Sequence, residues 1–403
     1  MRALRAPTAF DGERFLEGGA TVLVEGDRIA GVEGYGFQVP DGVEVTTYDG
    51  TLLPGLVDAH VHLVADGVPG SLEAAPTLSD HDLAAMVSRT LAQHAAAGVT
   101  TVRDLGDTRY VTLGFRDALA PGVPRVVAAG PPFTTENGHC HYLGGVAEGP
   151  VAIRAAVAER VERGVDVIKV MASGGMLTPG SDQLGVQFSA PDIALITLLG
   201  HEAGLPVVAH THSVRGAWHA LEAGVDGLEH FTCLTDDGMV TSAELLDALA
   251  ATGVVVDQTT GWNRDLIDID RMPAPLRMLT EKLGLLPDAM VLARADQARR
   301  IREHGVEIVV GTDAGISPPK THGDTTWRAV VELAAAVPLE EALARATSYA
   351  ASVVGVAAVT GRLHAGLDAD LLVVDGDVRA DASSLSRPVA VLVRGAEPLP
   401  HSP

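Results

Sequence analysis

The chain has 403 residues, enough for two to three average domains or for one α/β barrel with an added layer. Hydrophobic residues make up 47% and charged residues 20%, which excludes a disordered chain; aromatics at 4% leave the core to Val, Leu and Ala. With 29 basic against 52 acidic residues the net charge is −23, so phosphate backbones and anionic lipid are repelled and neither nucleic acid nor membrane is expected as a partner.

In chain order, the N-terminus shows no apolar leader-like run, and no later stretch approaches ~18 uninterrupted apolar residues, so a soluble cytoplasmic protein is expected. Residues 20–32 (ATVLVEGDRIAGV) alternate around Gly26-Asp27 and predict a hairpin. A long middle follows, with strand patterns at 52–58, 100–105, 125–129, 165–171, 206–210, 227–230, 254–258 and 307–311. Helical patterns lie between them at 82–97, 151–163, 191–203, 215–223, 242–251 and 288–304. Several strands are continuous apolar runs, as parallel strands covered on both faces should be. Short strands return at 370–375 (DLLVVD) and 389–394 (VAVLVR). The pattern predicts an α/β fold: a (β/α)8 TIM barrel over 54–359, with a small β-sandwich built from both termini, 1–53 and 360–403. An open doubly wound sheet would want a glycine-rich turn after its first strand, where histidines stand instead.

Barrel chemistry collects at the C-terminal ends of the strands. The first strand ends in Asp58-Ala59-His60-Val61-His62, and strand alternation puts both imidazoles on one face, as two metal ligands or as two hydrogen-bonded core histidines. The fourth reads Asp166-Val167-Ile168-Lys169-Val170-Met171. A lysine there is desolvated unless it reaches the rim or pairs with Asp166. Only three lysines occur, Lys169, Lys282 and Lys320, so arginine is this chain's generic cation and Lys169 needs its own explanation. A neutral amine can add carbon dioxide, and the carbamate's two oxygens can bridge two metals. The fifth strand ends in His210-Thr211-His212, the sixth in Glu229-His230 and the eighth in Gly311-Thr312-Asp313-Ala314-Gly315. Ligand-type residues thus end five strands in order, which predicts a metal site. Cys140 and Cys233 alone cannot make a disulfide framework or a zinc knuckle.

These motifs, with Leu53-Pro54-Gly55-Leu56-Val57 and Gly98-Val99-Thr100-Thr101-Val102-Arg103-Asp104, resemble the amidohydrolase superfamily. The likeness is to its imidazolonepropionase-related branch, which contains the Xaa-Pro dipeptidase-like enzymes and ochratoxinase. The resemblance implies a binuclear site: His60, His62 and Asp313 on a buried metal, His210 and His230 on a more exposed one, and carboxylated Lys169 bridging them. Spacing does not choose between His210 and His212; the family pattern favours His210, leaving His212 to point away or to reach substrate. Zinc fits the ligands best, with Mn, Co or Fe as alternatives.

The implied reaction is hydrolysis of a small amide-type C–N bond by a metal-bridging hydroxide, with Asp313 moving the proton. His139, in Glu136-Asn137-Gly138-His139-Cys140-His141, is expected to polarise the carbonyl or touch substrate, and His322 to line the pocket. Arg103 could bind a substrate carboxylate or pair with an acidic neighbour. The loop 174–188 has no tyrosine, where dipeptidase members are expected to place one, so the substrate stays open among small amides, N-acyl amino acids, carbamates and ureas. Rival readings are a cyclic-amide or phosphotriester hydrolase on the same metals and a non-catalytic scaffold. A homo-oligomer acting on a small-molecule substrate is expected.

Overall fold

A computed structural model describes residues 1–268, 277–278 and 287–399; Lys282 lies outside them. The N-terminal strands are β1 (Arg2–Ala6), β2 (Thr8–Phe10), β3 (Phe15–Leu16), β4 (Ala20–Glu25), β5 (Arg28–Gly34), β6 (Glu44–Thr47) and β7 (Gly50–Pro54). The barrel strands are β8 (Leu56–Val61), β9 (Val99–Asp104), β10 (Arg125–Ala128), β11 (Ile168–Met171), β12 (Val207–Ser213), β13 (Gly227–Thr235), β15 (Val255–Asp257) and β16 (Glu307–Val309). The short β14 (Gly238–Met239) pairs only with β13, and β17 (Leu371–Asp375) and β18 (Pro388–Leu392) close the chain.

Parallel ladders run β10-β9-β8 and β11-β12-β13-β15-β16. The two arcs meet at both seams: Asp166 N donates to Ala128 O beside β10, and Ala59 N donates to Val310 O beside β16. This is the expected eight-stranded barrel, distorted where the ladder lapses at those seams. Its strands are buried on both faces, which explains their unbroken apolar runs.

The termini form two mixed sheets, β5-β4-β1-β6 and β18-β17-β7-β2-β3. Leu4, Val22 and Ile29 from one share a core with Leu52, Leu371 and Val373 from the other. The strand pattern at 52–58 is in fact two strands. Leu52 and Leu53 pair with β17, Leu52 also with β2, and the barrel strand starts only at Leu56. Gly55 sits at the crossing because any Cβ there would lie 2.2 Å from the Thr100 side chain.

Helices between strands follow their caps. Ser79 accepts from Asp82 N and starts the helix Asp80–Ala96 two residues before the expected position. Ser213 is at once the last residue of β12 and the N-cap of Val214–Glu222, so strand passes directly into helix and the histidines of β12 are held from both sides. Among the described residues, no helix is long and apolar enough to cross a membrane.

Candidate metal centre

The strand ends bring three groups of ligand-type side chains together: His60, His62 and Asp313; His210, His212 and His230; and His60, Glu229 and Asp257. All are buried. Asp313 Oδ1 lies 3.1 Å from His62 Nε2 and 3.4 Å from His60 Nε2. The rings form a continuous cluster, with centroids 5.2 Å apart for His60–His230, 4.4 Å for His210–His230 and 4.7 Å for His139–His210. His212 does not point away: its ring stacks on His230 at 4.7 Å and meets His210 at 4.5 Å.

The other ring nitrogens are committed, which fixes what is left for a metal. His60 Nδ1 donates to Glu229 Oε2 at 2.8 Å, His62 Nδ1 to Gly106 O at 3.0 Å and His210 Nε2 to Gly174 O at 3.2 Å. Thr232 spends its hydroxyl proton on His212 O, so its oxygen accepts from His212 Nδ1 at 2.9 Å. His230 Nδ1 lies 2.9 Å from Thr259 Oγ1.

Burial drives three of these histidines down, well below the usual range for His210 and His230 and to about 4 for His212, so those three rings are neutral and able to ligate, whereas His60, beside Glu229 and Asp257, is raised. Burial and then the charge of His212 take His139 to about 3. For Asp313 burial works upward, but the His62 hydrogen bond and the charges of His60, His62 and Lys320 outweigh it and hold the carboxylate at about 2.

A divalent ion fits this donor set on two grounds. His60 Nε2 and Lys169 Nζ are buried with no hydrogen-bond partner among the described residues, a situation that costs about 1–3 kcal/mol per group unless something else satisfies it. The donors, imidazole nitrogen and carboxylate oxygen, are those borderline divalent metals prefer.

Several residues in or just beyond the barrel strands adopt left-handed backbone: His230 at φ 68°, Thr259 at 47° and Asp313 at 61°. Each costs about 1–2 kcal/mol for a residue with a Cβ. Such outliers collect where geometry is imposed for function.

Sequence reasoning did not place three contributors. Glu229 was visible only as a motif letter; it holds His60 and is itself held by Arg103 at 3.1 Å, which settles the arginine as a buried ion pair rather than a substrate contact. Asp257 ends β15 with Oδ2 3.6 Å from His60 Nδ1, and the strand-end rule that found Asp313 applied to it equally. Asp58 accepts from Thr312 N, Thr312 Oγ1 and Thr326 Oγ1, locking the segment before Asp313. The loop histidines divide. His139 joins the cluster through His210, whereas His322 has both nitrogens engaged, Nε2 donating to Ala65 O at 2.7 Å and Nδ1 accepting from His94 at 2.9 Å.

Residues 51–397 match the amidohydrolase family, and the chain belongs to it. The fold, the ligand clusters and this membership make it a metal-dependent hydrolase with a binuclear metal centre. The branch anticipated from the motifs is borne out. The chain is 26% identical to ochratoxinase from Aspergillus niger over 374 residues, 84% of this chain and 73% of that one. It is 27% identical to imidazolonepropionase from Micrococcus luteus over 396 residues, 91% and 90% of the two. Among solved structures it superposes on a Xaa-Pro dipeptidase with methionine bound in the active site, with TM-score 0.83, 26% identity and 98% of each chain covered.

Proposed function

We propose that the chain hydrolyses a compact, uncharged or singly charged amide, such as a dipeptide or an N-acyl amino acid. The observation that carries this reading is the set of ligand clusters sharing one barrel mouth beside a buried Lys169 whose Nζ has no hydrogen-bond partner among the described residues. In this reading His60, His62 and Asp313 would hold one ion and His210 and His230 the other, with Lys169, as its carbamate, as a shared ligand. Zinc is the proposed metal. When bound, such ions supply a water of lowered pKa and a Lewis acid for an acyl oxygen.

The chain's residues then do the following. Asp313, ionised and facing His60 and His62, accepts the proton released on attack and returns it to the leaving nitrogen. His139 is neutral, and its Nδ1 lies 3.1 Å from Thr178 Oγ1. With Nδ1 accepting from that hydroxyl, Nε2–H is free to donate to the substrate carbonyl. His212 contacts substrate beside it, and His322 shapes the wall from behind Gly315. We take residues 54–359 as the barrel domain and 1–53 with 360–403 as a composite sandwich domain. We extend the reading to a cytoplasmic homo-oligomer that binds neither nucleic acid nor membrane, the former supported by the charge of −23.

A panel of dipeptides, N-acyl amino acids, carbamates, ureas, lactones and phosphotriesters, run with metal analysis, tests this. Turnover greatest on an amide by protein carrying two ions per chain supports it. Less than one ion per chain after metal supplementation, or preference for phosphotriesters, rejects it.

A further inference from the structure

Lys320 is buried at 1% exposure in the segment after β16, and the reaction outlined above uses it only as a charge near Asp313. Its ammonium carries three hydrogens and meets three main-chain carbonyls: those of Thr259, Thr260 at 3.1 Å and Thr312 at 2.7 Å. The Trp262 ring lies 4.9 Å from Nζ. A desolvated ammonium is stable only when so compensated, and here every proton is used. Among the described residues no carboxylate is a hydrogen-bond acceptor of Nζ; its acceptors there are backbone carbonyls.

The three oxygens come from two loops. Thr259 and Thr260 follow β15, and Thr312 follows β16. One loop touches a residue of the metal centre and the other carries one. Thr259 Oγ1 meets His230 Nδ1, and Thr312 is joined by one peptide bond to Asp313. Thr259 and Asp313 are both left-handed. Backbone in that conformation turns its carbonyls out of the strand ladder, so they need another partner.

We propose that Lys320 is a positioning residue of the metal centre, strapping the loops after β15 and β16 together through three carbonyls and thereby aiming His230 and Asp313. The proposal rests on reading those two side chains as ligands.

Lys320→Ala should leave a cavity edged by three carbonyl oxygens that a small alkylammonium can refill. Metal-free variant and wild type would be titrated with Co2+ and Zn2+, following stoichiometry and the Co2+ absorption spectrum, with thermal unfolding of the metal-free proteins measured separately. The expected result is roughly 10–100-fold weaker binding of at least one ion and an altered spectrum, both restored by butylammonium and not by butanol. Wild-type affinity and spectrum in the variant would overturn the proposal, as would equal rescue by butanol, which would reveal simple cavity filling. If Lys320→Ala does not fold, Lys320→Met, which keeps the stem, takes its place; failure of both to fold even with butylammonium assigns Lys320 to the fold and overturns the proposal. His230→Ala and Asp313→Ala run in parallel separate the two claims: if each retains two ions, it is the ligand reading that has failed.

Discussion

Asp313 and Lys169 divide the charge of the site between them. Asp313 is kept ionised by its histidine neighbours despite complete burial. Asp313→Asn keeps an oxygen for the metal but cannot accept a proton, so kcat should fall by roughly two to four orders of magnitude with the fold intact. A variant within tenfold of wild type, about 1.4 kcal/mol of barrier, would place the base elsewhere. Lys169 is the opposite case: burial lowers its pKa, which favours the neutral amine that the proposed carbamate requires. Lys169→Ala is expected to bind fewer than two ions, and added short-chain carboxylates should restore part of the activity. Two retained ions with full turnover would remove the carbamate from the site.

At the scale of elements, the loops after β10 and β11 meet over the metal cluster. A Cβ on Gly175 would lie 2.3 Å from His139 Nε2, so Gly175 has to lack a side chain for His139 to keep its place against His210. Gly175→Ala should therefore displace the imidazole and lower kcat/KM as His139→Ala does, with metal content unchanged in both. Loss of metal from His139→Ala would make it a ligand, and wild-type kinetics in either variant would discard the contact. The clustered histidines were legible because β-alternation is local: His60 and His62 alternate at the end of one apolar run and His210 ends another, while His230 follows Glu229 within β13. Their supports were not, because Glu229 reaches His60 across 169 residues and Arg103 reaches Glu229 across 126. Periodicity cannot register partners so distant. The same limit merged β7 with β8, since Leu52–Leu53 and Leu56–Val57 are alike in hydropathy and differ only in which sheet they join. The helix Val111–Ala118 also escaped, for it is short and Tyr110 enters it left-handed without a side-chain cap.

The whole molecule adds a joint and a field. Asp368 is buried between Arg28 of the terminal sheets, at 2.8 Å, and Arg125 of β10, at 2.6 Å, so one carboxylate ties sandwich to barrel. The field comes from the net charge of −23, which surrounds a mouth where the buried cations Arg103, Arg294 and Lys320 are already hydrogen-bonded to protein acceptors. An approaching anion meets this field before it meets the metals. Raising ionic strength from about 0.01 M to about 0.15 M shortens the Debye length from about 30 Å to about 8 Å and screens most of it. For a singly anionic N-acyl amino acid, kcat/KM should therefore rise with salt through KM, while the matching neutral amide stays level. Doubly anionic analogues should show the steepest rise. A value for the anion that is flat, or that falls with salt, would mean that the local potential at the mouth is positive. Recognition of a substrate carboxylate would then have to be sought in basic groups lining that mouth.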